Sequence, residues 1–279
     1  MDVGVSIFFT DYSITPAELG VALEERGFDS VWAAEHSHIP VPRKTRADQD
    51  LGKRYYDVMD PFVTLTAVAC ATKKLKIATG IALVIQRDTI QTAKLVASID
   101  QVSAGRFIFG IGGGWNQEEI ENHGTAFKTR MQKMREQIEA MKAIWTEQSP
   151  QYHGEIVSFD TIQTWPKPVQ KPHPPVILGG AFPWAARRAI RYGDGWYPNA
   201  ASGEPQDYIP AFRTMAKEAG RDPKSLSLRL GGAPDDLDRL KQFRDLGVDA
   251  VNVGLMSEPR DKILPILDHW AGHRRQLNS

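Results

Sequence analysis

Cysteine is almost absent from this chain: Cys70 stands alone among 279 residues. One thiol cannot build an internal disulfide framework or a thiolate metal cluster. Its setting, Leu65-Thr66-Ala67-Val68-Ala69-Cys70-Ala71, is apolar helical text, which predicts a buried, inert side chain. Net charge is absent too. Lys plus Arg and Asp plus Glu each number 34, for a formal charge of zero. That balance argues against nucleic acid or an anionic membrane surface as the main partner. No apolar run approaches the ~18 residues that span a bilayer. The opening Met1-Asp2-Val3-Gly4-Val5 has neither the basic nor the apolar region of a secretory signal, so a cytoplasmic location is expected.

What is present is a repeating rhythm. β-branched and aromatic runs alternate with helical text throughout: Val3 to Phe9, Ser30 to Ala34, Leu75 to Leu83, Phe107 to Ile111, Pro175 to Leu178, Gly195 to Tyr197, Leu226 to Leu230 and Ala250 to Val253. Helix starts are marked by Thr15-Pro16 and Asp60-Pro61. Eight units of about 35 residues have the size of a βαβ repeat and the count of an α/β fold of the (β/α)8 TIM-barrel type, spanning residues 1–279 as a single domain. A doubly wound open sheet is the alternative, with five or six strands as its usual number. Two insertions interrupt the rhythm. One follows strand 2 (37–57); the other, Tyr152 to Pro174, lies between strands 4 and 5 and carries a hairpin-like core. Long insertions at a barrel rim are usually lids or substrate-contact loops.

In such barrels the active site lies at the C-terminal ends of the strands. Glycine recurs there, in Gly80-Ile81-Ala82, Gly112-Gly113-Gly114, Gly179-Gly180-Ala181, Gly231-Gly232 and Gly254. The three glycines that end the fourth strand remove every Cβ just before Trp115, Asn116 and an acidic helix start, so a flat or anionic ligand can approach the backbone. Gly179-Gly180-Ala181 has the free N–H groups of a phosphate cradle, or simply closes a turn. Titratable groups stand clearly at one strand end only, Glu35-His36. Glycine, small apolar residues and the aromatics Trp115, Trp196 and Tyr197 suit a planar cofactor that carries the chemistry itself. A hydrolase working through paired carboxylates or a metal needs several ionisable groups at one point. His36 and His38 have metal-ligand spacing, but the remaining ligands are missing and no metal is expected. His36 reads as a structural imidazole or as an acid/base facing the ring.

The ordered set Gly27-Phe28-Asp29-Ser30-Val31-Trp32, Glu35-His36, Asp60-Pro61, Gly105-Arg106-Phe107 through Gly114-Trp115-Asn116 with Glu118-Glu119, Trp165 to Gln170, Pro174 to Gly180 and Gly193-Asp194-Gly195-Trp196 resembles the bacterial luciferase-like monooxygenase superfamily. It is most similar to the branch of probable F420-dependent oxidoreductases. The similarity runs from about residue 15 to 200. It implies a flavin or deazaflavin across the strand ends, with F420 as the cofactor and FMN as the alternative. Within that resemblance Gly80, Ile81 and Ala82 pack against the ring, through a bulge that in the family often holds a non-proline cis peptide. Gly179, Gly180 and Ala181 hold the phosphate, and Glu35 and His36 face the ring as the catalytic pair. Gly112, Gly113, Trp115, Asn116 and Trp196 complete the cofactor cleft. Glu35 departs from the Asp-His of many F420 members, and Trp115 stands where some F420 dehydrogenases carry Glu. The expected activity is hydride transfer between the cofactor and a small organic substrate beneath the 152–174 insertion, or monooxygenation with FMN, in a homodimer. A non-catalytic cofactor-binding barrel and a metal-dependent hydrolase are the competing readings.

Overall fold

A computed structural model of the chain describes residues 1–278. Eight parallel strands close into a barrel. In chain order they are β1 (Asp2–Ile7), β2 (Ser30–Ala33), β3 (Lys76–Thr79), β4 (Phe107–Ile111), then, after the two-residue strands β5 (Tyr152–His153) and β6 (Ser158–Phe159), β7 (Val176–Gly179), β8 (Gly195–Tyr197), β9 (Ser227–Gly231) and β10 (Ala250–Gly254). The register of β1 against β10, Val3 opposite Val251 and Val5 opposite Val253, seals the ring. Parallel strands covered on both faces can be apolar at every position, and β4 is buried throughout.

Eight helices form the outer ring, α1 (Pro16–Glu25), α2 (Pro61–Ala71), α3 (Thr89–Val102), α5 (Arg130–Thr146), α6 (Trp184–Tyr192), α7 (Pro205–Glu218), α8 (Leu237–Asp245) and α9 (Arg260–Leu277), while the short α4 (Gln117–Asn122) lies at the mouth after β4. Their starts follow local chemistry. Thr15 and Glu18 form a reciprocal capping box at α1, and the Asp60 carboxylate accepts the Phe62 and Val63 N–H groups at α2. No helix among the described residues is long and apolar enough to cross a membrane.

Inside the barrel, Trp32, Ala78, Ile108 and Ile177 form a plug on which the Tyr197 ring lies, 4.7 Å from Trp32. The plug closes the interior, so ligand space remains only at the mouth.

Two expectations are corrected. Cys70 is exposed, because α2 turns Phe62, Leu65, Val68 and Ala69 to the core and Cys70 falls on the opposite side. The 152–174 insertion does not roof the cleft, since none of the cleft's lining residues comes from it. It follows a helix, and chain that follows a helix starts at the opposite end of the barrel. There Lys167 Nζ donates to the carbonyl oxygens of Ile144 and Glu147 at the end of α5, while the hairpin lies back along α5 toward its start: the Ile156 and Val157 N–H groups donate to Glu136, and Gln132 donates to Glu155. Gln170 donates to the carbonyl oxygen of Phe107, the first residue of β4.

Candidate active site

A cleft of ≈ 920 Å³ opens where the strands end, floored by Gly80, Ile81, Gly179 and Gly180 and walled by Phe8, Tyr55, Trp115 and Tyr197. An adjoining recess of ≈ 340 Å³ adds His36, Gly113, Gly114, Met131 and Arg188. The peptide bond between Gly80 and Ile81 is cis.

His36 is built into one wall by the end of β2. Its Nδ1 lies 2.8 Å from Glu119 Oε2, and both side chains are nearly sealed from solvent, 8% and 1% exposed. Glu119 comes from α4, 83 residues away. Its other oxygen accepts the Ser37 N–H at 3.0 Å. With Nδ1 occupied, Nε2 is the ring nitrogen left for the cleft. Phe8 lies parallel to the imidazole at 6.5 Å, Tyr55 sits 5.3 Å away and the Trp115 edge 5.7 Å away. This imidazole is therefore held by one carboxylate inside an aromatic collar.

Glu35 stands beside it with both oxygens engaged. Oε2 accepts the Leu83 N–H at 2.6 Å, and Oε1 accepts Arg87 Nε at 2.7 Å. Burial raises its carboxyl above the usual range, with Arg87 opposing that shift. Arg87 also reaches Asp60, the cap of α2. Glu35 thus ties strand end 2 to the turn after β3 while bordering the recess beside His36.

Other expected residues divide cleanly. Gly80, Ile81, Gly113, Trp115, Gly179, Gly180 and Ala181 line the cleft. Ala82 is fully buried, its N–H and carbonyl spent on Gly110 and Gly112. Gly112 lies beneath Ile81, where an added Cβ would sit 1.8 Å from Ile81 Cδ1. Asn116 is buried one layer back, with neither amide atom paired. Trp196 is the clearest correction. Side chains alternate along a strand, so with Tyr197 inside, Trp196 points outward against Phe212 at 5.1 Å and Tyr208 at 5.3 Å. Its indole N–H donates to the Gly180 carbonyl at 2.9 Å, bracing the turn without touching the cleft.

The 37–57 segment supplies the cover. Glu118 accepts the N–H groups of Lys44 and Thr45 and the Thr45 hydroxyl, which pins the segment to α4. Arg46 then lies 4.7 Å over the Trp115 ring, and Tyr55 reaches His36.

Glu119, Arg188, Phe8 and Tyr55 were not singled out by sequence pattern. Arg188 is set by α6, which starts soon after the Gly179-Gly180 turn. It borders both the recess and a neighbouring groove lined by Arg135, Arg187, Arg191 and Glu155, and its Nε has no hydrogen-bond partner. Gly180, at φ +125°, lies in a region L side chains rarely adopt. An unpaired guanidinium beside a glycine turn fits an anionic group such as a phosphate.

The fold and cleft define a (β/α)8 barrel whose mouth is an open, glycine-floored cleft bordered by a guanidinium. Residues 15–234 match the family model of luciferase-like monooxygenases, and the chain belongs to that family. Members are oxidoreductases or monooxygenases that use a flavin or the deazaflavin F420. An uncharacterized protein of Mycobacterium tuberculosis is 37% identical, covering 97% of this chain and 98% of its own. The F420-dependent hydroxymycolic acid dehydrogenase of M. tuberculosis is 28% identical over 80% of this chain and 58% of its own. The FMNH(2)-dependent dimethylsulfone monooxygenase of Pseudomonas putida is 33% identical over 50% of this chain and 39% of its own.

Proposed function

We propose that this protein is an F420-dependent oxidoreductase, with FMN as the alternative cofactor, that transfers a hydride between the cofactor and a small organic substrate. The observation that carries the reading is the His36–Glu119 pair, which sets an imidazole in a cleft where the carboxylates of Glu35 and Glu119 are both engaged. Such a mouth leaves the redox step to a bound cofactor, which would supply the hydride donor or acceptor. Gly179, Gly180, Ala181 and Arg188 would hold its phosphate, and Ile81 and Gly113 would bear on its ring.

The protein's own work is positioning and proton handling. Glu119 holds the His36 imidazole by Nδ1, so that Nε2 gives a proton to, or takes one from, a substrate oxygen in the cleft. Phe8, Tyr55 and Trp115 exclude water around that nitrogen. In the groove beside the phosphate position Arg187, Arg188 and Arg191 outnumber the single carboxylate of Glu155, while Arg135 is paired with Glu136 and Glu139; this cationic excess favours F420, whose chain continues past its phosphate as an anionic tail. On this reading the activity is dehydrogenation or reduction rather than oxygen insertion.

The test is a difference-spectrum titration with F420 and, separately, FMN. Binding of F420 at about micromolar Kd or tighter is expected. Loss of hydride transfer in His36→Ala, with F420 binding kept, supports the enzyme. Binding of neither cofactor overturns the reading, and unchanged turnover in His36→Ala removes the assigned role.

A homodimer is also proposed. Val63 on α2 and Ile90, Leu95 and Val102 on the adjacent α3 are exposed apolar side chains suited to a two-fold contact. Sedimentation at about twice the monomer mass is the expected result; a monomer overturns it.

A further inference from the structure

On the outside of the barrel, away from the cleft, three side chains converge that the activity does not use. His269 and His273 lie one turn apart on α9 and present their rings on one face, with centroids 4.6 Å apart. Asp235 reaches them from the β9–α8 connection. Its Oδ1 is 2.7 Å from His269 Nε2 and 2.8 Å from His273 Nε2. The three potential ligand atoms all lie within 4.8 Å of one another.

We propose that Asp235, His269 and His273 form a binding site for a borderline divalent cation of the zinc, cobalt or nickel class. Two imidazole nitrogens and one carboxylate oxygen are the ligand set such ions prefer, whereas magnesium and calcium prefer all-oxygen shells. A tetrahedral ion with bonds of about 2.0–2.1 Å needs ligand atoms roughly 3.3 Å apart. Small outward movements of the half-exposed His269 ring and of the Asp235 carboxylate, around a more deeply seated His273, provide that, and the open side of the cluster leaves room for water as a fourth ligand.

The backbone on both sides is anchored independently of the cluster. Asp236 caps α8 through the Asp238 and Arg239 N–H groups, and Arg274, one residue past His273, is paired with Asp29 at the entry to β2. A bound ion therefore cross-links the closing helix to the connection that begins with Gly231-Gly232, which lines the cleft. Its first effect is on stability, through preferential binding to the folded state. The site is independent of the proposed redox function. It is also distinct from His36 and His38, whose ring nitrogens are bonded to Glu119, Ser37 and Asn122.

The experiment uses full-length, tag-free protein stripped with EDTA. Calorimetric titration with zinc chloride is expected to give one ion per chain with Kd on the order of micromolar, and a rise in melting temperature that scales with free zinc. His269→Ala and His273→Ala should each weaken binding by about tenfold or more, since even second-shell changes cost that much. His36→Ala should not. Cobalt(II) added to the wild-type chain should shift the His269 and His273 imidazole proton signals, which decides the matter if a variant fails to fold. No zinc binding at about 1 mM, stoichiometric binding retained in the His269→Ala/His273→Ala double variant, or cobalt shifts at other histidines overturns the proposal.

Discussion

Glu119 Oε2 lies 2.8 Å from His36 Nδ1, a pairing made between the end of β2 and the first turn of α4 in a site almost closed to solvent. The carboxylate fixes which ring nitrogen carries the hydrogen it accepts, and so leaves Nε2 for the cleft. Replacing Glu119 by Gln keeps the volume but lets an amide N–H face Nδ1 instead of an oxygen. Turnover should fall by about ten- to a hundredfold, with cofactor affinity within about twofold of wild type. Steady-state kinetics beside a binding titration check this, and equal losses in both would make Glu119 merely structural.

Arg188 tests the phosphate end. Its guanidinium is partly desolvated, which lowers its pKa, and it has no carboxylate beside it. Arg188→Ala should weaken a phosphate-bearing cofactor by about 1.5–3 kcal/mol, the worth of a hydrogen bond to a charged group. The salt dependence of binding should flatten at the same time. An unchanged dissociation constant would move the phosphate elsewhere.

Two glycines on one strand path separate ligand space from fold. In Gly112→Ala the new methyl meets the tip of the Ile81 side chain, which swings toward the cleft; cofactor affinity should fall while the melting temperature changes little. In Gly110→Ala the methyl meets the Thr79 carbonyl oxygen at 2.1 Å, and backbone cannot swing aside. That variant should lose about 1–3 kcal/mol or more of stability, read by denaturant unfolding.

Glu118 governs the cover. Its hydrogen bonds from Thr45 and Lys44 hold the carboxyl down at about 2, against an ordinary 4.5. A folded-state pKa below the unfolded one means that this docking is fully present above about pH 4.5 and is lost as pH falls toward 2. Amide exchange at Lys44 and Thr45, corrected for intrinsic rate, should accelerate on going from pH 5 to pH 3 in the wild type. In Glu118→Gln the step should vanish, and trypsin should cut more readily after Arg43, Lys44 and Arg46 at neutral pH. Exchange insensitive to both changes would mean that other contacts hold the segment.

The barrel was legible because its information is local. Period-two and all-apolar strand runs, Thr15-Pro16 and Asp60-Pro61 helix starts and eight evenly spaced units need only near neighbours to be read. The glycine-rich strand ends were legible for the same reason, and Gly80, Ile81, Gly179 and Gly180 do meet at one cleft. Sequence pattern could not rank Glu118 against Glu119. Adjacent acids on a helix point about 100° apart, and only the docking of α4 sends one to His36 and the other to the 37–57 segment. Trp196 and Tyr197 posed the same problem on a strand: the alternation is certain, but which of the two faces inward depends on how β8 is seated between β7 and β9. Local sequence therefore determined the architecture and the cofactor-shaped mouth. The partners of His36, the partners of Glu35 and the segment that covers the cleft were decided by tertiary structure, because each depends on groups about 50 to 80 residues apart meeting in space.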